Sequence, residues 1–392
     1  MFFVDKPYIS NFFKKTVRDH AIPVVDTPIS RELDLFQGTK VISEKEAIEL
    51  AREPGNLSLY TTSENSLGWI SKHLPFSDFP EKIELFKNKS KFRELTRTMV
   101  PDFFFKAVKV EDLTGIQFSD LPLPLIIKPS TGFMSEGVHK VTNFDEWSRT
   151  IDLILKEAAQ SVTKYPREVV DTSLFLIEQC IKGDEFAFDV YYDSNGEAVV
   201  LSILKHSFSS DEDVGDRIYT SSKEIIESNL NEFTEFAKEI GHLTKIKNFP
   251  VHIELRRAND GTLVPIEVNP LRFGGWCTTA DLTYLAYGFN PYLYYFSQIK
   301  PDWPEILKDK AGKLFSIIIL DNSTGIDVDK ISSFNYENLL STFENPLELR
   351  KFNFKEYPVF GFLFTETSQD NTIELKRILD SDLSEFIIIN EN

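Results

Sequence analysis

The sequence predicts a mixed α/β and α+β protein with an N-terminal open α/β domain, a two-lobed central module and a small C-terminal α+β unit. Length is one reason, because 392 residues exceed the roughly 100–200 residues of an ordinary domain. A change of pattern is another. Apolar strands alternate with amphipathic helices at the start of the chain, whereas strands follow one another more closely after residue 88. We place the predicted domains at residues 1–87, 88–177, 178–300 and 301–392.

The N-terminal domain begins with short apolar and amphipathic segments in alternation. The predicted strands are residues 2–4, 22–25 and 57–61, and the predicted helices are 9–20 and 44–52. Ser43 precedes the second helix and suits the N-cap position, where its hydroxyl accepts a backbone N–H. Ser63, Glu64 and Asn65 follow the third strand. Because loops after the carboxyl ends of such strands usually face a ligand, we expect a substrate near these three residues.

Later strands and helices share one signature, short apolar runs bounded by polar or turn residues. The predicted strands are 103–108, 125–129, 174–179, 185–192, 198–204, 251–257, 263–269, 314–320, 359–365 and 386–389, and the predicted helices are one near Ser90, 144–159 and 222–240. Residues 206–220 are polar and acidic, with a lone Arg217. A segment of this kind predicts a loop, and long loops in compact domains often form lids.

The charge balance excludes several classes of partner. The chain carries 61 Asp and Glu against 43 Lys and Arg, a net charge of −18, which repels nucleic-acid phosphates and anionic lipid. No apolar run approaches the ~18 residues that span a bilayer, and Asp5 and Lys6 lie where a signal peptide would be apolar. We therefore expect a cytoplasmic protein without nucleic-acid or membrane partners. Cys180 and Cys277 are far apart and form no CxxC motif, so we expect reduced thiols.

An acidic hairpin is the strongest chemical signal. Asp260 and Gly261 favour a two-residue turn between the strands 251–257 and 263–269. That turn places Glu254 opposite Glu267, with side chains ~5 Å apart. Like charges at this distance repel each other, and a divalent cation between them relieves the repulsion.

The neighbours of this pair favour a metal–phosphate site. In the same register His252 faces Asn269, whose amide joins Glu254 and Glu267 as an oxygen ligand. Mg²⁺ prefers such hard oxygen ligands and commonly shares phosphate oxygens of a nucleotide. Arg272 and the glycines after it can hold an anion close to the backbone. The alternative is a solvated hairpin face whose charges are screened by water.

Lys128 lies in the apolar strand 125–129 and carries a second signal. A lysine in such a strand is costly unless it meets an anion. The residues that follow are small and can present backbone N–H groups to phosphate. They are Ser130, Thr131, Gly132, Ser135 and Gly137. The alternative is an ordinary Gly/Ser turn after an exposed lysine.

The strand 174–179 carries a third signal, because it leads from apolar residues into an acidic corner. Glu178 can accept a hydrogen bond from an adenine amino group, and Glu185 can accept from ribose hydroxyls. An edge strand with two surface acids is the alternative.

Taken in chain order, these segments resemble the ATP-grasp superfamily, which includes D-alanine–D-alanine ligase and biotin carboxylase. The resemblance begins at Lys89, continues through Lys128 and its loop, and ends after the hairpin, over about residues 88–300. The N-terminal domain resembles the pre-ATP-grasp domain of such enzymes. Two features depart from the pattern: the loop is bulkier at residues 133–134, and Leu271 is inserted after the Asn-Pro pair.

The resemblance implies an ATP-using, magnesium-dependent enzyme and a role for each conspicuous residue. Lys89 and Lys128 would contact the ATP phosphates, and the loop of Ser130, Thr131, Gly132, Ser135 and Gly137 would close over them. Adenine would be bound by Glu178 and by the backbone of Cys180 and Ile181, and ribose by Glu185. Mg²⁺, or Mn²⁺ in its place, would be bound by Glu254, Glu267 and Asn269. Arg272 would stabilise the transferring phosphoryl group or the tetrahedral intermediate, and Lys128 would neutralise charge in the same reaction.

The implied reaction is ATP-dependent ligation of two small molecules, a carboxylate and an amine. The carboxylate is activated as an acyl phosphate and coupled to the amine, with release of ADP and phosphate. We expect both substrates near residues 63–65, Arg217 and residues 274–281, where Trp276 and Tyr284 either line the pocket or pack in the core. Phosphotransfer to a hydroxyl and nucleotide binding without turnover are the alternatives. The state of assembly is open, a homodimer included.

Overall fold

The computed structural model describes residues 1–53, 57–131, 137–160, 171–210 and 215–390. Within these ranges the strands form two sheets of four strands, one of eight and one of two. The mixed α/β and α+β class predicted from the sequence is confirmed. Every helix in the same ranges is too short or too polar to cross a membrane.

The N-terminal domain is a four-stranded parallel sheet with the order β3-β2-β1-β4. Its elements are β1 (Phe2–Phe3), α1 (Asn11–Asp19), β2 (Val24–Asp26), α2 (Pro28–Glu32), β3 (Val41–Ser43), α3 (Glu44–Arg52), β4 (Tyr60–Thr61), α4 (Leu67–His73) and α5 (Phe79–Lys87). Ser43 caps α3 as predicted, because its hydroxyl accepts the Glu46 N–H while the Glu46 carboxylate accepts the Ser43 N–H. The domain therefore has the predicted open α/β arrangement.

A smaller antiparallel sheet follows, with the order β5-β8-β6-β7. The elements of this lobe are α6 (Lys89–Leu95), β5 (Phe105–Lys109), β6 (Leu125–Thr131), β7 (His139–Val141), α7 (Phe144–Gln160) and β8 (Asp171–Gln179). Ile127, Trp147 and Ile177 belong to an apolar core of its own. Because β8 continues to Gln179, the domain limit that we predicted between residues 177 and 178 falls inside this strand.

The large sheet is antiparallel and has the order β13-β12-β9-β10-β11-β14-β17-β16. Its strands are β9 (Gly183–Tyr192), β10 (Ala198–Ser207), β11 (Ile218–Ser222), β12 (Phe249–Ala258), β13 (Leu263–Pro270), β14 (Lys313–Asp321), β16 (Asn345–Lys351) and β17 (Val359–Ser368), while β15 (Ile331–Phe334) pairs with β18 (Ile387–Ile389). The helices are α8 (Lys223–Thr244), α9 (Thr278–Tyr287), α10 (Pro291–Ser297), α11 (Trp303–Ile306), α12 (Tyr336–Leu340) and α13 (Ile373–Asp380). The predicted unit 301–392 thus shares its main sheet with the preceding lobe.

One apolar core joins the N-terminal sheet to the large sheet. Tyr60 of β4 packs against Phe273, which follows β13, with ring centroids 5.3 Å apart. The Thr61 backbone N–H also donates to the Leu271 carbonyl at 2.7 Å. These contacts hold the end of β4 against the segment after β13, where several predicted site residues lie.

The segment 206–220, predicted as a loop, is partly strand. β10 continues to Ser207 and β11 begins at Ile218, and both pair within the large sheet. Arg217 is only 8% exposed, and its Nε lies 2.8 Å from Asp321 Oδ1 at the end of β14. This arginine therefore pairs with the end of β14, and the expectation that it lies near a substrate stays a prediction.

Gly361 in β17 lies against the backbone of β16. A Cβ at this position would overlap the carbonyl oxygen of Arg350. We expect Gly361→Ala to lower the free energy of unfolding by about 1–3 kcal/mol, since the strands must move apart to accept the methyl group. Urea unfolding followed by circular dichroism measures the loss. Gly68→Ala is the matched control, because a Cβ there meets nothing within 4 Å, and an equal loss in both variants would contradict the prediction.

Candidate active site

The hairpin of β12 and β13 has the predicted register at its acidic centre. Glu254 pairs with Glu267, and His252 pairs with Asn269. The Asn269 amide donates to Glu267 Oε1 at 3.0 Å. Burial and the charge of Glu267 raise the pKa of Glu254, so a second negative charge is costly here unless a cation is near.

The turn of this hairpin was predicted wrongly. The Ala258 N–H donates to the Thr262 carbonyl at 2.8 Å, so residues 259–262 form a longer loop than the expected two-residue turn. The longer loop shifts the pairing next to it by one residue. A β-bulge between Glu254 and Leu255 removes this shift, which is why the register at the carboxylates is nevertheless right.

Lys89 supplies a cation to the acidic pair. It is the first residue of α6, and its Nζ lies 2.9 Å from Glu267 Oε2. Burial would raise the pKa of Glu267, but Lys89 and Lys87 outweigh burial and hold that pKa well below its usual range. The structure thus brings Lys89, a predicted phosphate contact, next to the predicted metal ligands.

The donors at the hairpin suit a hard divalent cation that brings further ligands with it. Among the described residues, no three His, Cys, Asp or Glu side chains are arranged to hold a metal ion. Glu254, Glu267 and the Asn269 amide are oxygen donors of the kind that Mg²⁺ takes together with waters and phosphate oxygens. They fit Mg²⁺ bound with a nucleotide better than a cage made by protein alone.

Asp189 on β9 holds His252 and the backbone of Gly274 in place, and sequence reasoning missed it. The residue is fully buried, and its Oδ1 accepts the Gly274 N–H at 3.0 Å and lies 2.8 Å from His252 Nδ1. Burial would lower the pKa of His252, but Asp189 and Glu254 raise it to about 9. An aspartate inside an apolar strand, where an unpaired carboxylate is costly, was the available signal.

Lys128 and Glu178 form a buried cluster with Arg93, which sequence reasoning also missed. Glu178 Oε1 pairs with the Lys128 ammonium, and Glu178 Oε2 lies 2.9 Å from Arg93 Nε. Burial would raise the pKa of Glu178, but Arg93 and Lys128 hold it at about 2. Arg93 lies one helical turn after Lys89, and that spacing was the signal in the sequence.

These ion pairs bear on the predicted role of Glu178. Each of its oxygens already contacts a cation, and the residue is buried. In this structure the carboxylate holds Lys128 and Arg93 in place, and its contact with an adenine amino group stays a prediction.

The other groups predicted at adenine and ribose also have protein partners. The Cys180 N–H donates at 2.9 Å to the carbonyl that precedes β6, and the Ile181 carbonyl accepts from Arg256 Nη1 at 2.8 Å. Glu185 accepts from Arg256 Nε at 2.7 Å and lies 3.0 Å from His206 Nδ1. A nucleotide would compete with these partners, so the assignments stay predictions.

Ser130 ties the end of β6 to the start of α6. Its Oγ donates to Asn88 Oδ1 at 2.9 Å and accepts the Ser90 N–H at 3.3 Å. Of the predicted loop residues, Ser130, Thr131 and Gly137 belong to the described part of the chain, and Gly132 and Ser135 lie outside it. Gly137 has a φ of +72°, a conformation that favours glycine.

Arg272 forms a second cluster, with Glu64 and Lys87. Its Nη2 and Nε lie 2.8 and 3.3 Å from Glu64 Oε1, and Lys87 pairs with Glu64 Oε2. Burial would raise the pKa of Glu64, but Lys87 and Arg272 lower it to about 2. Burial would lower the pKa of Arg272, but Glu64, Glu267 and Glu254 raise it, so Arg272 lies within electrostatic reach of the acidic pair.

The two aromatic residues considered for a substrate pocket differ in their surroundings. Trp276 packs edge-on against Phe352 and Tyr357, with centroids 4.9 and 5.3 Å away. Tyr284 is 43% exposed and stacks on Phe12 at 4.1 Å. Trp276 therefore contributes to packing, whereas Tyr284 is a surface side chain.

A family model described as the ATP-grasp domain matches residues 121–280. This segment contains Lys128, Glu178, Glu254 and Glu267. The comparison with curated protein sequences gives no match.

Solved structures resemble the chain over nearly its whole length. L-amino acid ligase from Bacillus licheniformis has a TM-score of 0.70 at 19% identity, covering 100% of this chain and 98% of that chain. N5-carboxyaminoimidazole synthase from Aspergillus clavatus, solved with ADP, has a TM-score of 0.64 at 12% identity, covering 98% of each chain. The biotin carboxylase domain of 2-oxoglutarate carboxylase from Hydrogenobacter thermophilus, solved with MgADP, has a TM-score of 0.61 at 13% identity, covering 99% and 90%. At these identities the likeness is one of fold, and within that fold residues 121–280 match the model of the ATP-grasp domain.

Proposed function

We propose that the protein uses ATP to activate a substrate carboxylate as an acyl phosphate and then couples it to an amine, releasing ADP and phosphate. The observation that carries this proposal is the Glu254–Glu267 pair beside Asn269, with Lys89 at 2.9 Å from Glu267. Paired oxygen donors next to a partly buried lysine suit a nucleotide phosphate bound with Mg²⁺. The name L-amino acid ligase of a structural relative supports the same class of reaction.

The cations of the chain would bind and orient the triphosphate. Lys89 and Lys128 would hold phosphate oxygens, while Glu178 keeps Lys128 in place. Arg272 would neutralise charge on the transferring phosphoryl group. Mg²⁺, held by the two carboxylates and the amide of the hairpin, would neutralise the phosphate charge when bound.

The proposed steps need no further reactant. An oxygen of the substrate carboxylate forms a bond to the γ-phosphorus of ATP while the bond to ADP breaks. The amine nitrogen then forms a bond to the acyl carbon, inorganic phosphate leaves, and the nitrogen gives up a proton. Holding both substrates against the same site makes the second step effectively unimolecular.

The compartment and the assembly are part of the proposal. Cys180 and Cys277 are free thiols, which suits a reducing compartment such as the cytoplasm. The biotin carboxylase relative is described as a domain dimer, and we propose a homodimer here as well. Light scattering on the purified protein measures the state of assembly.

Phosphate release tests the proposed reaction. The protein is incubated with ATP, Mg²⁺ and panels of amino acids, hydroxy acids and amines, singly and in pairs. We expect the fastest release when a carboxylate and an amine are both present, with a product whose mass is their sum minus one water. A phosphorylated product without phosphate release would indicate a kinase, and ATP binding without release for any pair would indicate a non-catalytic nucleotide-binding protein.

A further inference from the structure

Two cationic side chains from distant segments converge on the carboxylate of Glu64, which comes from a third segment. Glu64 lies in the turn after β4, Lys87 ends α5, and Arg272 follows β13. Their side chains are 11%, 6% and 14% exposed. Arg272 contacts one oxygen of Glu64 and Lys87 contacts the other, so one partly buried and one buried cation converge on one anionic group.

This arrangement is suited to binding a carboxylate. A guanidinium and an ammonium that approach different oxygens recognise both the negative charge of a carboxylate and the positions of its two oxygens. Arg272 is also held independently of Glu64, because its Nη1 donates to the Phe273 carbonyl at 2.9 Å. Its guanidinium therefore keeps its place when another anion replaces Glu64.

The turn that carries Glu64 is held by other contacts. Asn65 donates to the Lys6 carbonyl at 3.1 Å, and Ser66 donates to Asp5 at 3.0 Å. These bonds do not involve the Glu64 side chain. The carboxylate of Glu64 can therefore rotate out of the cluster while its backbone stays in place.

We infer that Lys87 and Arg272 form the receptor for the carboxylate of the substrate, and that Glu64 occupies this receptor as an internal placeholder until the substrate displaces it. The inference rests on the proposed function, because it names where the carboxylate that is to be phosphorylated binds. Cations that lose Glu64 must gain another anion, since a buried charge without a partner is costly. A ligand must therefore compete with Glu64 to enter.

Acetate is a probe that tests the receptor without ATP. We expect Glu64→Ala to lower the unfolding temperature, and acetate to restore it in a saturable way at an ionic strength kept constant with chloride. Acetate should bind this variant about tenfold more tightly than the wild type, in which Glu64 competes. Scanning fluorimetry measures the unfolding temperature, and titration calorimetry measures the affinity.

Two control variants make the outcome specific. Glu84→Ala removes an exposed glutamate of α5 that pairs with Lys91 at 2.8 Å, and it should show no acetate response. The double variant Glu64→Ala/Arg272→Gln should lose the response of the single variant. If Glu64→Ala does not fold, Glu64→Gln, which keeps the shape of the side chain, is measured in its place.

The inference is overturned if acetate has no saturable effect on either Glu64 variant, binds the wild type equally well, or still binds the double variant. Its failure differs from a failure of the proposed function. Acetate binding without any ligase turnover would refute only the proposed reaction, whereas turnover without acetate binding would refute only the placeholder.

Discussion

Glu267→Gln is expected to reduce ATP-dependent phosphate release by roughly 10³-fold, a loss of the size seen when a group that stabilises transition-state charge is removed. The amide keeps the shape of the side chain but removes the charge that faces Lys89 at 2.9 Å. It also leaves Glu254 as the single carboxylate of the hairpin pair, and Mg²⁺ bound with a nucleotide needs such anionic oxygen ligands. The rate of phosphate release with the substrate pair found by screening measures the effect.

Nucleotide binding provides a second measurement for this variant. Calorimetric titration with MgADP should show weaker binding to Glu267→Gln than to the wild type. Glu49→Gln is the matched control, because Glu49 is an exposed residue of α3 whose partner Lys45 is 3.9 Å away. The control should keep both the rate and the affinity. Wild-type turnover in Glu267→Gln would remove this residue from the proposed site.

Glu178→Gln is expected to lower the free energy of unfolding by about 3–5 kcal/mol, the cost of removing one partner from a buried ion pair. The substitution leaves both Lys128 and Arg93 without the carboxylate that now contacts them. Urea unfolding followed by circular dichroism measures the loss. Glu94→Gln on α6 breaks an exposed pair with Arg97 and should have little effect, and equal losses in the two variants would contradict a special role for the buried cluster.

The buried cluster of Glu178, Lys128 and Arg93 predicts how the free energy of unfolding depends on pH. The pKa of Glu178 is held at about 2 in the folded protein, against an ordinary value of 4.5. As the pH falls, Glu178 therefore becomes protonated in the unfolded chain at a higher pH than in the folded protein. The stability that Glu178 contributes should be complete above about pH 4.5 and should disappear as the pH falls through about 2. An equally steep acid dependence in wild type and Glu178→Gln would show that other carboxylates dominate.

Signals that act over a few residues predicted much of the fold and part of the site. Ser43 begins a helix because a hydroxyl and a glutamate three positions later satisfy each other's backbone N–H groups. Glu254 lies opposite Glu267 because both strands belong to one hairpin and a β-bulge offsets the shift that the longer loop causes. Both results depend on chemistry within one short segment.

Partners that come from distant segments could not be predicted in this way. Glu64 and Arg272 are 208 positions apart, and Arg93 and Glu178 are 85 positions apart. The pattern within each segment shows that a charge lies beside apolar residues, but it does not identify the opposite charge. The same reason applies to β14 and β17, since alternation predicts a strand without indicating which sheet edge it joins.

The shared core of the N-terminal and large sheets has a consequence for how ligands enter. Separating these two units would expose Phe2, Tyr60 and Phe273 to water, at about 25 cal/mol for each Å² of apolar surface. The small sheet packs around a core of its own, and Val100 and Phe103 beside it share only a small apolar cluster with Val264 of β13, so moving it would expose less apolar surface. We therefore expect a hinge motion of the small sheet to admit and release the nucleotide, while the half of the cleft that contains Arg272 stays assembled from one turnover to the next.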